Sequence, residues 1–161
     1  MSELESYIER EEEVVSQLAE AARQVPEDKI HWKPCDRSLP WLYLIHHTSI
    51  HRWFFMKLLK GEPCDFPGIY TDKEYQPESA EQAAGDILKS WEEFKRFLRA
   101  QPADFLEEEI DPPWGGPKMS VKEMLWWTYE ENVHHRGQAW IYARMNGLIP
   151  PAVWGTERVS G

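Results

Sequence analysis

Four stretches of this chain, each about twenty residues long, repeat large apolar side chains at steps of three and four, and the segments between them are crowded with proline and glycine. Such a pattern leaves few options. Each stretch buries one face of a helix, and helices with apolar faces satisfy them by packing on one another.

Leu4, Tyr7, Ile8, Val14, Val15, Leu18 and Ala22 place a first helix from about Ser2 to Gln24, with Ser2 capping it ahead of Glu3 and Glu5. Ser38 is a cap candidate for a second helix, from about Leu39 to Lys60, with Pro40 in its first turn and Gly61 as its stop. On it Leu42, Ile45, His46, Ser49, Trp53 and Met56 share one face, while Tyr43, Leu44, His47, Ile50, Phe54 and Leu58 form a second apolar stripe. This helix is therefore expected to be buried on more than one side. A third helix runs from about Glu78 to Ala100, with Ala80, Ala83, Ala84, Ile87, Leu88, Trp91, Phe94, Phe97 and Leu98 inward. Ser120 and Glu123 form a capping box that opens a fourth, which continues to Asn146 and Gly147.

Between the second and third helices, Phe66, Ile69, Tyr70 and Tyr75 suggest an ordered loop lying across the bundle. The insert QPADFLEEEIDPPWGGPKMS reads as turns with a short extended stretch around Phe105 to Ile110, and the tail LIPPAVWG is apolar enough to pack back. The expected fold is all-α: a four-helix bundle with long crossover loops, forming one domain over residues 1–161.

A net charge of −10 and the lack of a basic stripe argue against nucleic acid and against an anionic membrane. The acidic runs EREEE (Glu9 to Glu13) and LEEEI (Leu106 to Ile110) read as solvated surface. Cys35 and Cys64 lack CxxC spacing, so neither a disulfide framework nor a thiolate zinc site is indicated. The N-terminal MSELESYIEREEE is acidic, unlike a secretory leader, and no stretch is long and apolar enough to span a membrane. A reducing cytoplasm is the expected setting.

Chemistry points to the histidines. Five of the six fall in LIHHTSIHRWFF and EENVHHRGQ, each inside a helical segment. Glu131 and His135 stand four apart, one above the other on the inward stripe Met124, Thr128, Glu131, His135, Gln138, Tyr142 and Met145. A buried carboxylate needs a partner. A metal ion, a salt bridge to Arg52 or Arg136, or a register facing water would each satisfy Glu131. From the second helix, His46 shares a stripe with Leu42, Ser49 and Trp53; His47 is its rival, because both positions lie on apolar faces. His51 and His134 read as outer-face residues or as supports behind the ligands, and His31 as a loop histidine. Gln138 is placed to orient a ligand by hydrogen bonding. Gly137 costs its helix about 1 kcal/mol against alanine, which suggests a closely approaching neighbour. Trp53 and Trp127 are candidates to wall a pocket.

HHRGQAWIYARMNGLIPP (His134 to Pro151) resembles the C-terminal signature of the DinB-like superfamily, the damage-inducible and metal-dependent hydrolase group. IHWKPCDRSLPWLYLIHHTSIHRWFFMKLLKGEP (Ile30 to Pro63) is similar to that family's Trp-Lys-Pro loop and second helix. The resemblance implies a four-helix bundle holding one divalent metal through one residue of the second helix and two of the fourth. Carried onto this chain, those positions are His46, Glu131 and His135, with Glu131 standing where the family ordinarily has histidine. Two imidazoles and a carboxylate suit zinc, nickel, manganese or ferrous iron and leave positions open for water or substrate.

The function so implied is that of a metal-dependent enzyme acting on a small molecule, by hydrolysis or by transfer of a low-molecular-weight thiol, with a homodimer as a common state of the family. The competing expectation is a non-catalytic, stress-related bundle acting through dimerisation or ligand binding.

Overall fold

The computed structural model describes residues 2–63, 65 and 76–152, and among these the long elements are four helices: α1 (Glu3–Arg23), α2 (Trp41–Leu59), α3 (Ala80–Arg99) and α4 (Val121–Met145). Local chemistry sets most of their ends. Ser2 Oγ accepts from Glu5 N at the start of α1, Ser79 Oγ from Gln82 N at the start of α3, and Ser120 with Glu123 closes a full capping box on α4. Ser38 does not cap α2. Pro40 occupies that position without a side-chain bond, and the Ser38 hydroxyl lies 3.1 Å from Cys35 Sγ instead. The stop after α2 is as expected: Gly61 has φ +68°, and Glu62 N donates to Lys57 O as the chain turns away.

Ion pairs and hydrogen bonds between helices fix their directions. Arg23 meets Glu81 at one end and Arg99 meets Glu5 at the other, so α1 and α3 are antiparallel. His46–Asp86 and Trp53–Glu93 keep one offset, so α2 and α3 are parallel. Lys122–Glu3 and Arg136–Gln17 make α4 parallel to α1, and His47–His135 with Phe55–Trp127 make it antiparallel to α2. The closest packing joins α1 to α3, α3 to α2, α2 to α4 and α4 to α1. Chain neighbours α1 and α2 thus face one another across the diagonal. Because α2 and α3 run the same way, their connection must travel back along a helix of 19 residues, about 28 Å. This is the crossover geometry expected from the long inserts.

One apolar cluster draws on all four helices, with Leu18, Trp41, Phe54, Ile87, Trp91, Phe94 and Met124 among its buried members. α2 is buried on nearly every side, including His46, His47, Thr48, Ser49, His51 and Arg52. The acidic run on α1 departs from its expected exposure at one residue: Glu11 is 0% exposed, bonded to Arg52 and Asn132, whereas Glu9 and Glu13 face solvent. Glu107, Glu108 and Glu109 are exposed as expected. Phe105–Glu107 is a 3-10 turn rather than extended, and only Glu109–Ile110 forms a strand, β1, pairing antiparallel with β2 (Met119–Ser120). The tail packs back as far as it is described: Pro150 and Pro151 are buried, and Gln17 Nε2 donates to Ala152 O. The expected aromatic loop with Phe66, Ile69, Tyr70 and Tyr75, together with Cys64 and the end of the tail, lies outside the described residues.

Candidate metal centre

α2 and α4 lie antiparallel, and at mid-length each presents imidazole to the other. His47 Nε2 stands 2.9 Å from His135 Nε2, and the ring centres are 4.1 Å apart. Glu131 Oε2, one turn before His135 on α4, lies 3.2 Å from the same His135 nitrogen. The remaining ring nitrogens bear on the tautomers. His47 Nδ1 faces the carbonyl of Tyr43 at 3.2 Å and His135 Nδ1 faces Gln138 Oε1 at 2.9 Å. Both partners are acceptors, an arrangement that favours the Nδ1-protonated tautomer of each ring. In that form each ε nitrogen turns a lone pair toward the other, and that of His135 also faces Glu131 Oε2.

Burial keeps these rings neutral. It holds His47 well below the ordinary imidazole value, with His135 and His51 adding to the effect. His135 is lowered by burial too, against the opposing pull of Gln138 and the Glu131 charge. His51, a turn after His47, is pushed down to about 3, by burial first and then by His135 and Arg52. Three electron-rich atoms that bring no proton of their own to the point between them are a donor set for a cation. Two donors on one ion, at bonds of about 2.0–2.1 Å, stand about 2.9 Å apart at a right angle and about 3.3 Å apart at the tetrahedral angle. The observed 2.9 and 3.2 Å match those separations. Tyr43 O and Gln138 Oε1 occupy the place of the outer acceptors that steady metal-bound imidazoles. Among the described residues, no three His, Cys, Asp or Glu side chains form a ready-made metal cage. The donor chemistry fits a divalent metal, and the last donors need side-chain rotation to close on it.

Of the expected ligands, the structure brings Glu131 and His135 together and sends His46 elsewhere. His46 Nε2 lies 3.0 Å from Asp86 Oδ2 on α3, beside a cavity of about 400 Å³ that Trp53, Met56, Lys57 and Gln82 also line. Adjacent helix positions differ by about 100° in azimuth, so a helix wedged between α3 and α4 aims His46 at one and His47 at the other. His47, the rival, takes the position facing α4. His51 is not on an outer face: it is buried, its ring 5.0 Å from that of His47 and 6.5 Å from that of His135. The i, i+4 pair His47/His51 mirrors Glu131/His135, and that symmetry is the sequence signal that would have found it. His134 and His31 are exposed.

Neither arginine serves Glu131, since Arg52 is held by Glu11 and Ser90, and Arg136 bonds Gln17. Along the expected inward stripe of α4, Met145 departs and stands 57% exposed, although Tyr142, one turn before it, is buried. Trp53 belongs to the His46 cavity and not to the histidine cluster. Trp127 stacks on Trp114, and Phe55 meets both rings edge-on.

No helix among the described residues is long and apolar enough to cross a membrane. A comparison with curated proteins finds no match. Among solved structures, the chain is similar to YfiT from Bacillus subtilis, with a TM-score of 0.73 and 14% identity over 90% of this chain and 88% of that one. YfiT is described as a probable metal-dependent hydrolase with an unusual four-helix bundle topology. It is similar also to the DinB-like protein YjoA of Bacillus subtilis, with a TM-score of 0.66 and 21% identity over 94% and 98%. These likenesses establish the four-helix fold. The DinB superfamily model matches residues 10–139, most of the chain and both histidine-bearing helices, and so this chain belongs to the DinB superfamily.

Proposed function

We propose that this protein binds one divalent transition metal through His47, Glu131 and His135 and uses it to hydrolyse a small-molecule ester or amide. The observation that carries the reading is the 2.9 Å approach of two ε nitrogens whose protons are committed elsewhere. The description of YfiT as a probable metal-dependent hydrolase supports the reaction class.

When bound, zinc, nickel, manganese or iron supplies Lewis acidity, which polarises a carbonyl and lowers the pKa of water. The chain's own residues do the rest. Tyr43 O and Gln138 Oε1 fix the two imidazoles in the δ-protonated form and aim their ε nitrogens. Glu131 contributes negative charge from a side chain that is 32% exposed, so the centre reaches solvent on its side. The apolar rings of Tyr43 and Phe55 flank the histidines and limit water elsewhere. A low-molecular-weight thiol would meet the same Lewis acid, and assays with ester, amide and thiol acceptor substrates separate the two chemistries. The reading includes the cytoplasm as the setting and a homodimer as the assembly.

The test is metal content. Untagged protein and its single alanine variants are titrated with zinc, and bound metal is counted. Wild type and His46→Ala should take up one equivalent, while His47→Ala and His135→Ala should lose it. Failure of the wild type to bind, or equal loss from His46→Ala, rejects the assignment.

A further inference from the structure

We infer that His51 is a fourth protein donor to the same ion, so that α2 and α4 each supply an i, i+4 pair: His47 with His51, and Glu131 with His135. The inference rests on the metal reading above and adds a residue to it.

His51 is nearly as buried as His47, at 6% exposed against 4%, and its ring meets the His47 ring edge-on at 88°. The ring contact with His135 on α4 places His51 on the α4 side of the helix, while the following residue, Arg52, points away to Glu11 and Ser90. Three imidazoles with bonds of about 2.0–2.1 Å to one ion have ring centres about 3.2 Å from it, and therefore about 4.5–6.4 Å from one another as the angle at the ion opens from roughly 90° to 180°. The three observed separations are 4.1, 5.0 and 6.5 Å, each within about half an ångström of that range. Small side-chain rotations then bring all three rings onto one point. Ring packing alone gives no reason to gather three bases of like chemistry in an interior, each disfavouring protonation of its neighbours; a borderline-soft cation gives one.

The fourth donor changes what the ion is. Four protein ligands in a tetrahedron close a zinc site against substrate, whereas a five- or six-coordinate ion keeps positions open. His51 therefore biases the centre toward metals at ease with higher coordination, such as nickel, iron or manganese.

Cobalt(II) alone serves as the probe, because its visible absorption is weak in five- or six-coordination and intense in four-coordination. Wild type should show the weak bands. His51→Ala should show the intense ones, with an affinity loss above the roughly 10–100-fold that removal of an outer partner costs. Added imidazole should restore the wild-type spectrum by filling the space. If alanine leaves the bundle unfolded, His51→Phe preserves the packing beside Phe55 and is read in the same way. Cobalt uptake by wild type with unchanged affinity and spectrum in the folded variant overturns this inference alone. No uptake by wild type overturns the metal reading and this inference with it.

Discussion

Gln138 shows how much of the candidate centre rests on single hydrogen bonds. Its Oε1 takes the Nδ1 proton of His135, and without that acceptor the imidazole is free to carry its proton on the nitrogen that faces His47. Replacing Gln138 with alanine should weaken zinc binding by about 10–100-fold while leaving the helical content unchanged. Competition against a chromophoric chelator, with circular dichroism beside it, would register both, and an unchanged affinity would remove Gln138 from the site. That Glu131, His135 and Gln138 meet on one face was legible in the sequence because one helix fixes their relation: spacings of three and four bring them together whatever the rest of the fold does. The partner on α2 was not legible in the same way. His46 and His47 both lie on apolar stripes of a helix with buried residues on nearly all sides, so periodicity names no outward face to reckon from. Deciding between them takes the position of α4, which no local pattern contains.

Elements were legible where their ends are chemical. Ser2, the Ser120/Glu123 box and Gly61 act within one turn of themselves, and each works as its spacing predicts. The start of α2 is not legible, because its cap carries no side-chain bond at all. Gly137 departs from expectation for the opposite reason: its local cost is matched by no close neighbour. It lies on the exposed side of α4, and a Cβ built there meets nothing within 4 Å, so no neighbouring helix demands the glycine. Nothing in the structure explains it. Gly137→Ala should therefore raise stability by about 0.5–1 kcal/mol, through helix propensity and a less flexible unfolded chain. Urea unfolding monitored at the α-helical band measures this. A loss of stability would mean that the position is crowded after all.

The order of the helices around the bundle belongs to the whole molecule, and one buried polar cluster touches every helix of it. Glu11 on α1 accepts from Arg52 on α2 and from Asn132 on α4, and Arg52 in turn donates to Ser90 on α3. Glu11, Arg52, Ser90 and Asn132 are each 0% exposed. Burial pushes the Glu11 carboxyl up and the Arg52 guanidinium down, while their mutual attraction and the Asn132 amide act against it. The hint was present in EREEE: Tyr7, Glu11, Val14 and Leu18 share one face at steps of four, three and four, and the other three are core residues. The run of like charges hid it. Burying two ions costs more than exposed pairs return, so the pair is poor evidence for stability and better evidence for arrangement, since this order of helices brings all four groups together. The two roles separate experimentally. Glu11→Ala alone strands the guanidinium and should cost about 3–5 kcal/mol in urea unfolding, with Arg52→Ala similar. Replacing Glu11 and Arg52 together by methionine and leucine should recover most of that loss, because no charge is left without its partner. If the cluster also selects the topology, the double variant should keep its helical circular dichroism yet show broadened amide resonances from competing helix arrangements. Sharp, wild-type-like spectra from the double variant would leave the packing of the apolar core as the sole determinant of how the four helices are ordered.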